Sequence, residues 1–289
     1  MVENAVLQNI LMFGPVFLLI AARAFAMIQV APLLSSEAVP QVVKISLAGL
    51  VAFAVIPTAE IYMAANSPNG IVTLPGGTMS DLRNEVFSLR FLLLIVGEGI
   101  IGIIIGFYMT VIFAAFSTAG QFFSLQMGFG ASETFDPVAQ VENPLMGQYF
   151  NLVSMLIFVV IGGFFTLFRG FWRSVQSINI LALIDGREPV VGMVVSGLSS
   201  LFMDAFVISL PILGTLFLTS LTTGLISKAS PQINILSEGF PISIMTAFLL
   251  ILATLPFMVE AFTRVIESGF RNIETLYTQI GRQITAGGF

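Results

Sequence analysis

The sequence predicts an all-α membrane protein, and three observations carry that prediction. Of the 289 residues, 56% are hydrophobic and only 9% are charged, where a soluble domain has about 25% charged residues. The mean hydropathy is +0.99. Six apolar runs follow one another along the chain. Each is close to the ~20 residues a helix needs to cross about 30 Å of hydrocarbon at 1.5 Å of rise per residue.

Taken in order, the first run covers residues 7–30 and is broken only by Arg23. The preceding MVENAVLQ carries an acid where a signal peptide needs bases, so this run reads as a retained span. SSEAVP leads to the second run, 42–64. Residues 66–85, NSPNGIVTLPGGTMSDLRNE, hold the proline, glycine and asparagine of a surface loop. The third run, 91–118, contains one charge, Glu98. The fourth, 146–168, is uncharged and carries Gly162-Gly163, which predicts a kink or a tight contact. The fifth lies within 189–227, with Asp204 as its single charge and Pro211 as a second candidate kink. The sixth, 240–259, is uncharged. In a six-span arrangement Arg83, Arg90, Arg169, Arg173, Arg187, Arg264, Arg271 and Arg282 fall on one side, and Lys44 and Lys228 on the other. The positive-inside rule then puts both termini in the cytoplasm.

Residues 263–289 differ from the rest. Phe262, Ile266, Phe270, Ile273, Tyr277, Ile280 and Ile284 recur at helical steps, with Arg271, Glu274 and Arg282 on other faces. This predicts an amphipathic C-terminal helix. Two placements suit it: flat on the membrane interface, or docked on a partner subunit.

Several function classes drop out. The chain has neither cysteine nor histidine, which removes disulfides, zinc-thiolate and zinc-histidine sites, thiol nucleophiles and imidazole bases. One aspartate within the spans is too few for an aspartyl intramembrane protease, and no nucleotide-binding glycine fingerprint precedes a helix. Eleven scattered bases against sixteen acids give no basic patch for nucleic acid. No enzyme activity, cofactor or metal is expected.

What remains is an unusual middle segment and three charges in apolar surroundings. Residues 120–144, GQFFSLQMGFGASETFDPVAQVENP, hold glycines at 120, 128 and 130, phenylalanines at 122, 123, 129 and 135, three acids and no base. Irregular apolar backbone at membrane depth survives where protein or an aqueous cavity satisfies its polar groups. Two readings follow, a pore or gate element and a re-entrant connector packed on its own bundle. Arg23, Glu98 and Asp204 are functional hypotheses by default in a membrane segment. Pairing of Arg23 with Glu98 or Asp204 would lower an insertion cost of about 2.5–3.5 kcal/mol per charge. A proton relay and simple exposure to water are the alternatives. Gly102 and Gly106 form a GxxxG that favours close helix approach. The segment 230–241 is a second stretch mixing proline, glycine and apolar residues. Two broken regions in opposite halves also suit a secondary transporter of a small solute, with Asp204, Glu98 and the broken segments as its site.

Three motifs narrow this. RAFAMIQVAPLLSSEAVPQVVKISLA (23–48) resembles the first hairpin of the FliR family, termed SctT in virulence type III secretion. AGQFFSLQMGFGASETFDP (119–137) is similar to that family's central segment, and SPQINILSEGFPISI (230–244) to its C-terminal PQ-x-N-x-x-x-x-GFP pattern. The resemblance implies about six long hydrophobic helices arranged as hairpins, with an irregular plug-like segment, in a helical hetero-oligomeric cone. It implies an N-terminal FliP-like part (1–188) including the plug segment 120–144, a FliQ-like hairpin (189–262) and a C-terminal tail (263–289). Its implied role is a non-enzymatic subunit of the inner-membrane export gate in the basal body. The implied partners are FliP-family and FliQ-family subunits, an FlhB-family subunit and unfolded export substrates.

By the same resemblance, the plug includes Gln126, Met127, Gly128, Phe129 and Gly130 and ends at Asp136 and Pro137. Phe122 and Phe123 join Met127 and Phe129 in the apolar seal. Pro231, Gln232, Asn234, Gly239, Phe240 and Pro241 form a structural turn. Arg23, Glu98 and Asp204 are buried between subunits. Gln121 stands where many relatives have an acid, so no role of that charge carries over.

Overall fold

The computed structural model describes residues 2–65, 73–74, 77–78, 89–128, 145–177, 187–230 and 235–286. Seven α-helices form among them: α1 (Val2–Val30), α2 (Gln41–Ala65), α3 (Leu89–Met127), α4 (Leu145–Val160), α5 (Gly163–Ser177), α6 (Arg187–Ala229) and α7 (Ile235–Ala286). One small antiparallel pair, β1 (Thr73–Leu74) with β2 (Gly77–Thr78), lies in the predicted surface loop. The all-α membrane class holds. By length and composition Phe91–Met127, Glu188–Ala229 and Gly239–Leu276 can each cross a membrane, and α4 and α5 form a pair bent by 73°, the geometry of a broken span or of a re-entrant loop. The apolar parts of α1 and α2, Gly14–Val30 and Gln41–Pro57, are shorter.

Helix boundaries follow local chemistry. After α1 the chain turns through Leu33, whose φ of 68° is left-handed. Lys44, 3% exposed, reaches back from α2 to donate from Nζ to the Ser35 carbonyl at 2.9 Å. That bond ties the turn to the helix that follows it. Pro40 supplies the carbonyl for the first bond of α2, from Val43 N at 3.0 Å, and proline suits this position because no donor is needed there. The fourth apolar run does not continue as one span. Gly162 takes φ 72° and ends α4, a conformation that costs a side-chain-bearing residue about 1–3 kcal/mol.

Two expectations from the sequence meet a different local structure. Residues 120–127 are helical rather than irregular. Their glycine is a contact point: a Cβ on Gly120 would meet the Met146 carbonyl, and the Gly147 Cα would lie only 2.8 Å from it. Gly239, Phe240 and Pro241 lie within α7 rather than in a turn. Pro211 sits inside α6. The C-terminal tail is helical as expected and continuous with α7, which runs on to Ala286. Of its apolar stripe, Phe262, Ile266 and Ile273 are buried, at 1%, 0% and 4% exposure.

The chain divides into two compact units. The first comprises Met1–Thr110, Phe164–Val195 and Phe270–Phe289. Here α1 lies on α3 along the predicted small-residue seam. A Cβ on Gly102 would strike the Arg23 carbonyl, and one on Gly106 would be 2.8 Å from the Met27 carbonyl. Thr110 Oγ1 donates to the Val30 carbonyl at 2.9 Å, satisfying an acceptor left open at the end of α1. Ala24, Met27 and Ile28 are fully buried. The C-terminal end of α7 joins through Asn272 Nδ2, which donates to Tyr108 Oη at 3.2 Å, and through Arg173–Glu274 at 2.8 Å.

The second unit comprises Val111–Gly163 and Ser196–Gly269. Its core is aromatic. Phe113 meets Phe158 edge-on at 5.4 Å, Phe116 meets Phe262 at 4.3 Å, Phe262 meets Phe150 at 5.6 Å, and Phe150 meets Phe123 at 5.1 Å. Each such pair contributes about 0.5–1.5 kcal/mol beyond its area. The rings therefore hold α3, α4 and α7 to one another.

Candidate functional site

Of the residues expected in the gate, the structure describes those that form its root. Phe123 and Met127 have no exposed surface and belong to the aromatic core, on the face of α3 that also carries Phe116 and Ala119. The steps from 116 to 119, 123 and 127 are those of one helical stripe, so these two side chains anchor the end of α3 in the core. Phe122 is half-buried, and Gln126 is exposed with Nε2 3.4 Å from Ser220 Oγ on α6. Helix α3 stops at Gly128, which adopts φ 93° and donates from its N–H to the Leu125 carbonyl at 3.1 Å. A left-handed glycine after the last helical residue is a common helix terminator. The ring of Phe240, on α7, fills the space a Cβ on Gly128 would take. Phe129, Gly130, Asp136 and Pro137 lie outside the described residues, as do Pro231, Gln232 and Asn234.

The second constellation is electrostatic. Arg23 on α1 and Glu98 on α3 are 1% and 3% exposed and form an ion pair at 2.6 Å between Nε and Oε2. Arg23 Nη1 also donates to Ser174 Oγ on α5 at 3.3 Å, and Ser174 in turn donates to the Phe171 carbonyl at 2.7 Å. Of the two candidate partners for Arg23, the structure selects Glu98. The Arg23–Glu98 pairing lies inside this chain. The second carboxylate oxygen, Oε1, is buried without a hydrogen-bond partner among the described residues. Leaving such an acceptor unmet costs about 1–3 kcal/mol, so the pair is costly as well as adhesive. Asp204 is half-buried on α6 and makes no ion pair among the described residues.

Sequence reading missed Ser174, Lys44 and the contact between Phe240 and Gly128. Ser174 had a usable signal, since a serine three residues after a phenylalanine in an aromatic, Arg-bearing helix can turn back to the backbone and still accept from outside. Lys44 looked like an ordinary end-of-span base. Nothing in the sequence links positions 128 and 240, which are brought together only by the packing of α3, α6 and α7.

Comparison with known proteins agrees with this architecture. Residues 15–269 match the family model of bacterial export proteins, family 1. The chain is 29% identical over 239 residues to the flagellar biosynthetic protein FliR of Escherichia coli K12, covering 81% of this chain and 82% of that protein. It is 24% identical over 277 residues to FliR of Bacillus subtilis 168, covering 95% and 99%. It is 27% identical over 172 residues to the surface presentation of antigens protein SpaR of Shigella sonnei, covering 59% and 65%. On the strength of a family match that takes in most of its length, the chain belongs to family 1 of the bacterial export proteins, the FliR/SctT family of flagellar and type III export components.

Proposed function

We propose that this chain, a membrane subunit of a flagellar or type III export apparatus, lines a conduit for unfolded export substrates and closes it at rest. The observation that carries this reading is the end of α3 at Gly128. A fully buried anchor (Phe123, Met127) gives way at one left-handed glycine to the sequence 129–144, which opens with Phe129-Gly130 and carries three acids and no base. Anchored at Met127, a segment that begins with Phe129 can obstruct a lumen with an apolar constriction and exclude water by dewetting. No step of this requires chemistry from the chain.

The surfaces support assembly. On α6, Phe202, Met203, Phe206, Val207, Phe217 and Leu218 are 50–64% exposed. On α7, Met245, Leu249, Leu252 and Phe257 are 61–72% exposed. Apolar surface on this scale is covered by lipid or by other subunits. FliP-family, FliQ-family and FlhB-family subunits are the proposed partners, in the bacterial inner membrane at the secretion-system basal body. The division into a FliP-like part (1–188), a FliQ-like hairpin (189–262) and a tail (263–289) is proposed on the same footing. A flagellar system is favoured over a virulence system, since the FliR relatives are matched over more of the chain than SpaR. The transporter reading loses ground, because Glu98 is committed to Arg23 and leaves Asp204 without a second acid.

A stalled export substrate provides the test. With a photoreactive residue in place of Phe129, irradiating the assembled gate while a substrate is jammed by a folded carboxy-terminal domain should join the two chains. The same residue at Phe165, which is 74% exposed on α5, should give no adduct. A jammed apparatus with no adduct at position 129 would contradict the conduit reading.

A further inference from the structure

We propose that the outward ridge of α5, formed by Phe165, Arg169, Trp172 and Gln176, rests on the membrane surface and takes the phosphate of an anionic phospholipid at Arg169. Nothing in this depends on the closure of a conduit.

The two sides of α5 differ in chemistry. Its inward stripe, Leu167, Phe171 and Ser174, is 3%, 0% and 0% exposed. Ser174 accepts from Arg23, so this side is committed to the protein. Phe165, Arg169, Trp172 and Gln176 follow one another at helical steps on the side opposite that stripe. Phe165 is 74% exposed, Arg169 is exposed, and Trp172 and Gln176 are half-buried. Phe168 flanks this ridge on one edge, and Thr166 and Arg173 flank it on the other. One edge is therefore aromatic and the other hydroxylic and cationic. That division lets a helix lie along the boundary between acyl chains and headgroups.

The bend after α4 suits the same placement. The 15 residues of α5 make about 22 Å of helix, and at 73° to α4 the cosine leaves about 7 Å along the direction of α4. If α4 runs across the bilayer, α5 lies close to the membrane plane. It then contributes little toward the roughly 30 Å of hydrocarbon that a span must cover.

Charge identifies the occupant. Helix α5 holds two arginines and no acid, and no acid occurs from residue 143 to residue 184. Arg173 is paired with Glu274 at 2.8 Å, whereas Arg169 makes no ion pair among the described residues. An exposed guanidinium matches two phosphate oxygens at once. Phe165, one turn before it, reaches the upper acyl layer, and tryptophan prefers the headgroup level. A cationic face with no acid has nothing to pair with the choline of a zwitterionic lipid, so it selects a headgroup of net negative charge.

Trp172 is the one tryptophan of the chain, so its fluorescence reports on this helix alone. The full-length chain is reconstituted in phosphatidylcholine vesicles containing lipid brominated either just below the headgroup or near the end of the acyl chain. Shallow bromines should quench Trp172 more strongly than deep ones. Brominated phosphatidylglycerol should quench several-fold more than the same share of brominated phosphatidylcholine, and Arg169→Gln should make the two equal. Deep quenching that matches or exceeds shallow quenching overturns the surface placement, since α5 would then cross the bilayer. No quenching at either depth overturns the lipid contact. Equal quenching by both headgroups in the unaltered chain, or a preference that survives Arg169→Gln, overturns the phosphate site. In the assembled apparatus, a photoreactive residue in place of Phe165 should yield lipid adducts. An adduct with another subunit in their place overturns lipid as the occupant.

Discussion

Glu98→Leu should destabilise the protein by about 3–5 kcal/mol, the usual cost of leaving one member of a buried ion pair alone. Arg23 is 1% exposed and would keep its charge in buried surroundings without its carboxylate, the Ser174 hydroxyl at 3.3 Å being a neutral acceptor. The double variant Arg23→Leu/Glu98→Leu should recover most of that loss, because both desolvation costs vanish together and Glu98 Oε1 no longer lies buried without a donor. Thermal unfolding of the detergent-extracted gate measures both. A single variant as stable as the unaltered chain would mean that the pair is neither dry nor close in the protein. A double variant worse than either single one would mean that the charges serve something beyond each other.

Close helix approach gives the second large effect. Gly102→Leu puts a branched side chain against the Arg23 carbonyl on α1, and Gly120→Leu does the same against the Met146 carbonyl on α4. The obstacle in each case is backbone, which cannot swing aside as a side-chain tip can. The helices must separate, at about 1–3 kcal/mol or more each. Gly99→Leu is the comparison, since nothing lies within 4 Å of a Cβ at that position. The expected order of melting temperatures has Gly99→Leu well above the other two. Equal losses at all three positions would show that helix propensity, not contact, sets the effect.

The comparison of Gly102 with Gly120 shows what was legible in the sequence. Gly102 and Gly106 sit four apart in a long apolar run, a spacing with a direct mechanical meaning, and α1 does lie on them. Gly120 stands among polar and aromatic residues before a glycine-rich stretch, and there glycine reads as a breaker. The structure uses it as another contact point and carries the helix on to Met127. Gly162 was read correctly as a kink because a paired glycine in an uncharged run has no other evident use. Pairing of Arg23 was legible from cost alone, since an arginine in an apolar run must find a carboxylate. The choice of Glu98 over Asp204 depends on which helices pack together, and that is a tertiary fact. The fate of the tail was illegible for a related reason. An amphipathic stripe states that something apolar covers it, and membrane, partner and own core leave the same pattern.

The central proposal is that the sequence beyond Gly128 closes a hole, and electrical recording of the reconstituted gate, with its partner subunits present and no substrate, tests it most directly. The expected result is a silent bilayer with the intact chain and a steady ionic current once residues 129–132 are removed. Equal silence from both gates would contradict it.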